Sequence, residues 1–121
     1  MGKLLVVEDD ESVRMFTARA LESSGHSVQT AADGEDGLDA IIAAGGNFDL
    51  VLSDIRMPIM DGIEMAKLAA HTYPGLRILL MTGYAEQRER AADLEGIVID
   101  VVAKPFTLAE IRTAVRAALS Q

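Results

Sequence analysis

Short apolar runs and amphipathic stretches alternate from one end of this sequence to the other, and that alternation restricts the fold more than any other feature. The apolar runs are "KLLVV" (3–7), "SVQT" (27–30), "DLVLS" (49–53), "RILLM" (77–81) and "IVIDVV" (97–102). Most are too continuously apolar to keep one wet face, so they suit strands covered on both sides. Between them the spacing is helical. In the first helix Val13, Phe16, Ala20 and Leu21 share a stripe, and Gly25 is a stop. The second begins near Asp33, presents Leu38, Ile41 and Ile42, and ends at Gly45-Gly46; the third opens at Asp61 and closes before Pro74. The last carries a T-x-x-E capping box, Thr107 with Glu110, ahead of an inner face of Leu108, Ile111, Val115 and Leu119. The stretch 85–95, "AEQRERAADLE", is polar and has the weakest helical pattern. Five strands alternating with five helices predict a doubly wound α/β fold, a parallel sheet between helix layers joined by right-handed crossovers.

Composition closes off several functions. A chain of 121 residues supports one core, and no linker, repeat or low-complexity tail divides it. The sequence ends with its fifth helix, so the expectation is a single domain over 1–121 with no output domain. No apolar run approaches the roughly 20 residues that cross a bilayer, and "MGKLLVVEDD" turns acidic too early for a signal peptide. These features predict a soluble, cytoplasmic protein without membrane insertion. Without cysteine there is no thiolate nucleophile and no disulfide. A net charge of -8 and a pI near 4.6 argue against nucleic acid as a partner. Phe16, Phe48, Phe106, Tyr73 and Tyr84 are too scattered for a base-stacking platform, and no glycine fingerprint for a nucleotide occurs.

Ligands of an open parallel sheet bind beyond the carboxyl ends of its strands, where the strand order reverses. The first strand delivers Glu8, Asp9 and Asp10 there; the third delivers Asp54, the fourth Thr82-Gly83 and the fifth Lys104-Pro105. If the first and third strands are neighbours, three or four carboxylates crowd together and demand a cation. Mg2+ suits them, because it prefers oxygen ligands and bridges carboxylates to phosphate. Neither His26 nor His71 has ligand spacing; the first reads as a loop residue and the second as a helix C-terminal side chain. Beside a metal, Asp54 can attack a phosphoryl group, with Thr82 and Lys104 available to the added oxygens. Each residue alone reads as a cap or turn former, and Asp10 suits the cap of the first helix. Their joint occurrence at successive strand ends is the signal.

"LLVVEDD", "DLVLSDIRMPIMDG", "LLMTGYA" and "VVAKPF" resemble, in order and spacing, the successive blocks of the CheY-like receiver domain of bacterial two-component response regulators, over nearly the whole chain. The resemblance implies a flavodoxin-like sheet in the order 2-1-3-4-5. It makes Asp54 the phospho-acceptor, served by a histidine kinase or histidine phosphotransferase. It places Asp9 and Asp54 directly on Mg2+, Glu8 through water, and the backbone carbonyl of Arg56 as the remaining protein ligand. Thr82 becomes the switch hydroxyl and Lys104, with Pro105 after it, the family's lysine. One position departs from the pattern: three residues before the lysine the family often has Tyr or Phe, and this chain has Val101. Tyr84 either replaces that switch aromatic or packs over the rim of the site.

A narrower resemblance, carried by "SDIRMPIMDG", "LLMTGYAEQRERA" and "DVVAKPF", is to CpdR-type stand-alone receivers, which control ClpXP-dependent proteolysis in the cell cycle. It implies the ClpX unfoldase as partner, with phosphorylation switching that contact off, in a monomer or weak dimer. Arg88, Arg90, Arg112 and Arg116 are candidate read-out residues on the face of the fourth helix, fifth strand and fifth helix, and equally a solvated helix face. Competing readings are a phosphorelay intermediate, a kinase or motility regulator, a receiver cut from a hybrid histidine kinase, or a module never phosphorylated. A haloacid-dehalogenase-like phosphatase would need a second acid two residues past Asp54, where this chain has Arg56. The expectation is a switch that catalyses only its own phosphorylation and dephosphorylation, not an enzyme acting on other substrates.

Overall fold

A computed structural model describes residues 2–84, 90, 91, 94 and 96–121. Among them the chain runs β1 (Lys3–Val7), α1 (Glu11–Ser23), β2 (Ser27–Ala31), α2 (Gly34–Ala43), β3 (Leu50–Asp54), α3 (Gly62–Thr72), β4 (Ile78–Thr82), β5 (Asp100–Ala103) and α4 (Leu108–Leu119). The five strands form one parallel sheet in the order 2-1-3-4-5, so β1 and β3 lie side by side as expected. The crossover from β2 back past β1 to β3 creates the reversal beside which a ligand site forms.

Alternating residues of the central strands supply two cores. Leu5, Val7, Val51, Ile55, Ile78 and Leu80 pack toward α2 and α3, with Ile41, Met65 and Ala66. Leu4, Val6, Leu50, Leu52, Leu79 and Met81 pack the other way, with Leu21 of α1 and Ile111 and Val115 of α4. Each fully buried leucine contributes roughly 2 kcal/mol of transfer free energy.

The helix boundaries follow their caps. Asp10, Asp33, Asp61 and Thr107 each accept a hydrogen bond from a backbone N–H three residues on, and Thr107 and Glu110 complete the capping box. Gly25 follows α1 at φ 96, and Gly45 and Gly46 follow α2 at φ 63 and 75, in the left-handed region that glycine enters without steric cost.

Five expectations need correction. Phe16, Ile42 and Leu108 were placed on inner stripes but are about half exposed, at 42%, 53% and 42%. Thr17 turns inward on α1 instead, because its hydroxyl donates to the Val13 carbonyl and can be buried satisfied. Ile41, fully buried, takes the interior, while Ile42, one position further round α2, is turned toward solvent. Leu108 belongs to the exposed first turn of α4. The edge strands are also less covered than their runs predicted: β2 is exposed at three of its five residues, and every residue of β5 is half-buried or exposed. Finally β5 begins at Asp100 rather than Ile97, because the N–H groups of Ile97 and Val98 both turn back to the Leu94 carbonyl around Gly96. Of the stretch 85–95, Arg90 and Ala91 are helical and Ala91 and Leu94 are buried; the rest, including Arg88, lies outside the described residues.

Candidate functional site

β1 and β3 end together, and their last residues build an acidic pocket. Asp54 is the final residue of β3, and Glu8 follows β1 directly. Both are buried, and Asp9 beside them is exposed. One carboxylate oxygen from each of Glu8, Asp9 and Asp54 lies within 4.8 Å of the other two. Asp10 is not part of this group: its side chain caps α1 by accepting from the Val13 N–H. Arg14 reaches back from α1 and donates to the Glu8 carbonyl at 2.9 Å, fixing the acidic turn against the helix that follows it.

Lys104 enters from the far side of the sheet. Its Nζ is 3.2 Å from Asp54 Oδ2 and 3.3 Å from both oxygens of Glu8. Burial and the neighbouring charge of Asp54 push Glu8 up to about 7, and Lys104 only partly offsets them. For Lys104 burial works downward, but the charges of Asp54 and Glu8 outweigh it and hold the ammonium above its ordinary value. A lone monovalent cation thus leaves the carboxylates under-neutralised. Clustered, hard, oxygen-only donors of this kind fit a divalent ion such as Mg2+.

Thr82 ends β4 next to Asp54's strand and is buried; its Oγ1 accepts from the Tyr84 N–H at 3.1 Å. Lys104 N donates to the Thr82 carbonyl at 2.9 Å, tying the two strand ends together. Pro105 follows Lys104 through a cis peptide. Tyr84 is about half exposed, and the Arg56 guanidinium stacks over its ring at 5.0 Å. Tyr84 therefore sits on the rim in this arrangement, and Val101 packs half-buried against the α2–α3 core. Among the proposed read-out arginines, Arg90 pairs with Asp61 at 2.9 Å and Arg112 donates to the Ala20 carbonyl, so neither is simply a solvated side chain; Arg116 is exposed.

Sequence reasoning missed what holds the backbone of Asp54. Gly62, the first residue of α3, donates to the Ile55 carbonyl at 2.7 Å, and a Cβ there would collide with the Asp54 carbonyl oxygen. Ile55 N–H is shared between Asp54 Oδ1 at 3.0 Å and the Met81 carbonyl at 3.1 Å. The signal for Gly62 was present in the closing D-G of "SDIRMPIMDG"; Ile55 acts through its backbone and left none.

A buried carboxylate flanked by hard-cation ligands, a lysine and a threonine is equipped for nucleophilic attack on phosphorus, with the incoming charge neutralised from several sides. Comparison with known proteins agrees. The family profile described as "Response regulator receiver domain" matches residues 4–116. The chain is similar to the sensor kinase CckA of Brucella abortus, 36% identical across 98% of this chain and 12% of that protein. It is 38% identical to the response regulator MprA of Mycolicibacterium vanbaalenii, across 97% of this chain and 50% of that protein. Among solved structures it is similar to the response regulator TrrA of Thermotoga maritima in complex with Mg2+-BeF: TM-score 0.87, 30% identity, 98% of this chain and 99% of that one. The chain spans half or less of the length of these curated relatives.

Proposed function

The chain belongs to the response regulator receiver domain family, and on that premise we propose that Asp54 is the acceptor of a phosphoryl switch. The observation that carries this is the convergence on Asp54: Glu8 and Asp9 within 4.8 Å and the Lys104 ammonium at 3.2 Å, at the buried end of β3. An oxygen of Asp54 attacks the phosphorus of a phosphohistidine on a histidine kinase or phosphotransferase. The P–N bond breaks, its electron pair leaves with the imidazole, and a new O–P bond forms. Mg2+ held by Asp9, Asp54 and the Arg56 carbonyl, with Glu8 behind it, would supply the charge neutralisation that brings two anions together. Lys104 pairs with the transferred oxygens, and the Thr82 hydroxyl turns from the Tyr84 N–H to donate to them. The added charge of about -1.5 to -2 draws the ends of β4 and β5 toward Asp54 and alters the partner surface beside them.

The chain acts as a switch rather than an enzyme with other substrates. Arg56, two residues past the acceptor, is stacked on Tyr84 and supplies no second acid for steady hydrolysis. As to output, the wording of the motif blocks supports a CpdR-type regulator that binds ClpX when unphosphorylated, with 1–121 acting as a single domain. A second reading, a receiver within a hybrid sensor kinase, is favoured by the similarity to CckA over only 12% of that protein.

Intact mass after incubation with Mg2+ and a small-molecule phosphodonor tests the acceptor. One added phosphate in the wild type and none in Asp54→Ala is expected; phosphate on the variant refutes the assignment. Capture of purified ClpX by the unphosphorylated form, weakened by phosphate, supports the proteolytic role. Equal capture by both forms removes ClpX as the switched partner and favours the hybrid-kinase reading.

A further inference from the structure

Asp61 has two jobs in this structure, and only one concerns its own helix. Its Oδ1 caps α3 by accepting from the Glu64 N–H at 2.9 Å, and its Oδ2 takes the Arg90 guanidinium at 2.9 Å. Burial works against ionising Asp61, yet the hydrogen bonds from Glu64 and Arg90 prevail and hold its carboxyl below the ordinary value. Arg90 belongs to the segment between β4 and β5. Its neighbour Ala91, with Leu94, is buried in the same core as Ile55 and Ile63. The ion pair therefore bridges that segment to the start of α3.

The start of α3 is in turn tied to the acceptor by a continuous backbone chain. Gly62 N–H donates to the Ile55 carbonyl, and the approach is so close that no Cβ fits against the Asp54 carbonyl. Ile55 N–H divides itself between Asp54 Oδ1 and the Met81 carbonyl, at nearly equal distances. An acyl phosphate no longer carries a carboxylate's full charge on its carboxyl oxygens, so Oδ1 becomes the weaker acceptor and Met81 the stronger competitor. A shift of that N–H toward Met81 would move Ile55, whose carbonyl holds the Gly62 N–H, and with it the start of α3.

We propose that the Arg90–Asp61 ion pair is a latch made in the unphosphorylated state and loosened when Asp54 is phosphorylated, a second coupling route that does not pass through Thr82 or Lys104. It rests on Asp54 being the acceptor. It also gives this chain, with Val101 where an aromatic is common, a way to free Arg90 from the start of α3 without an aromatic rotating inward.

Linkage makes the idea measurable. If the latch exists only in the unphosphorylated state, breaking it must favour the phosphorylated one. Binding of beryllofluoride with Mg2+, a phosphoryl mimic, is measured by titration for the wild type, Arg90→Ala, Asp61→Asn and the double variant. Asparagine keeps the cap of α3 and loses the ion pair, so a result seen in both single variants is not a capping defect. Each single variant is expected to bind about two- to five-fold tighter, the range for a partly exposed pair. The double variant should gain no more than Arg90→Ala alone, because Asp61→Asn removes nothing further once the arginine is gone. Unchanged or weaker binding in both variants, with normal binding by the wild type, overturns the latch and leaves Asp54 as acceptor. Additive gains in the double variant overturn it too. Failure of the wild type to bind the mimic or take up phosphate overturns the latch and the acceptor assignment together.

Discussion

β3 and β5 carry equal responsibility for the site and are built in opposite ways. Every residue of β3 is buried, down to Asp54 itself, as is every residue of its neighbour β4 and all but the first of β1. No residue of β5 is fully buried, and it holds the sheet edge from which Lys104 reaches inward. Asp54, the proposed acceptor, sits where its backbone is pinned by Gly62 and Ile55. Lys104, proposed to pair with the added oxygens, reaches in from a strand with no fully buried residue. On the proposed reading, a charge change at a buried strand end would be passed to a less buried edge instead of being absorbed by the core.

The strongest attack on this contrast is at Gly62. Gly62→Ala forces a Cβ onto the Asp54 carbonyl and should destabilise the chain by about 2–3 kcal/mol in urea unfolding. Gly75→Ala, where the Cβ meets nothing, should stay within about 0.5 kcal/mol. Equal effects at the two sites would show that the surroundings of Asp54 are no tighter than the surface.

A smaller effect is expected at Glu8. Its folded pKa lies near 7, above the ordinary 4.5, so the folded state holds a proton that the unfolded chain has already released. Stability in chelator-treated buffer should therefore fall as pH rises from about 4.5 to 7, by on the order of 1–3 kcal/mol. Glu8→Gln removes that slope. A wild type equally stable at pH 5 and pH 8 would mean that the pocket tolerates its charges without a metal.

The smallest effect concerns Asp61 at the boundary between the two regions. Its folded pKa is depressed, so its contribution is present above about 3.8, the unfolded value, and disappears as pH falls through the lower folded one. Acid titration of thermal stability should show this loss in the wild type and not in Asp61→Asn. A matching loss in the variant would assign it to another carboxylate.

Much of this was legible in the residues. The alternation of apolar runs with capped amphipathic stretches located all five strands and four helices, because periodicity and caps are local. The site residues were legible for a related reason: strand ends in such a sheet share one edge, so Glu8, Asp9, Asp54, Thr82 and Lys104 could be grouped before any coordinates. Phe16 and Ile42 were misplaced, since apolar character says a side chain prefers burial, not that its neighbours leave room. Asp10 was ambiguous until its oxygen was seen on the Val13 N–H.

By itself, the sequence determined the strand and helix pattern, the acidic charge and the set of side chains that meet at the strand ends. Those follow from residue type and short-range spacing. Tertiary structure alone decided that Asp10 caps while Asp9 joins the pocket, that Lys104 divides itself between Glu8 and Asp54, that Gly62 meets the Asp54 carbonyl, and that Arg90 grips Asp61. Each of these depends on distances between groups far apart in the chain, and such distances are fixed only when the two cores pack on the sheet.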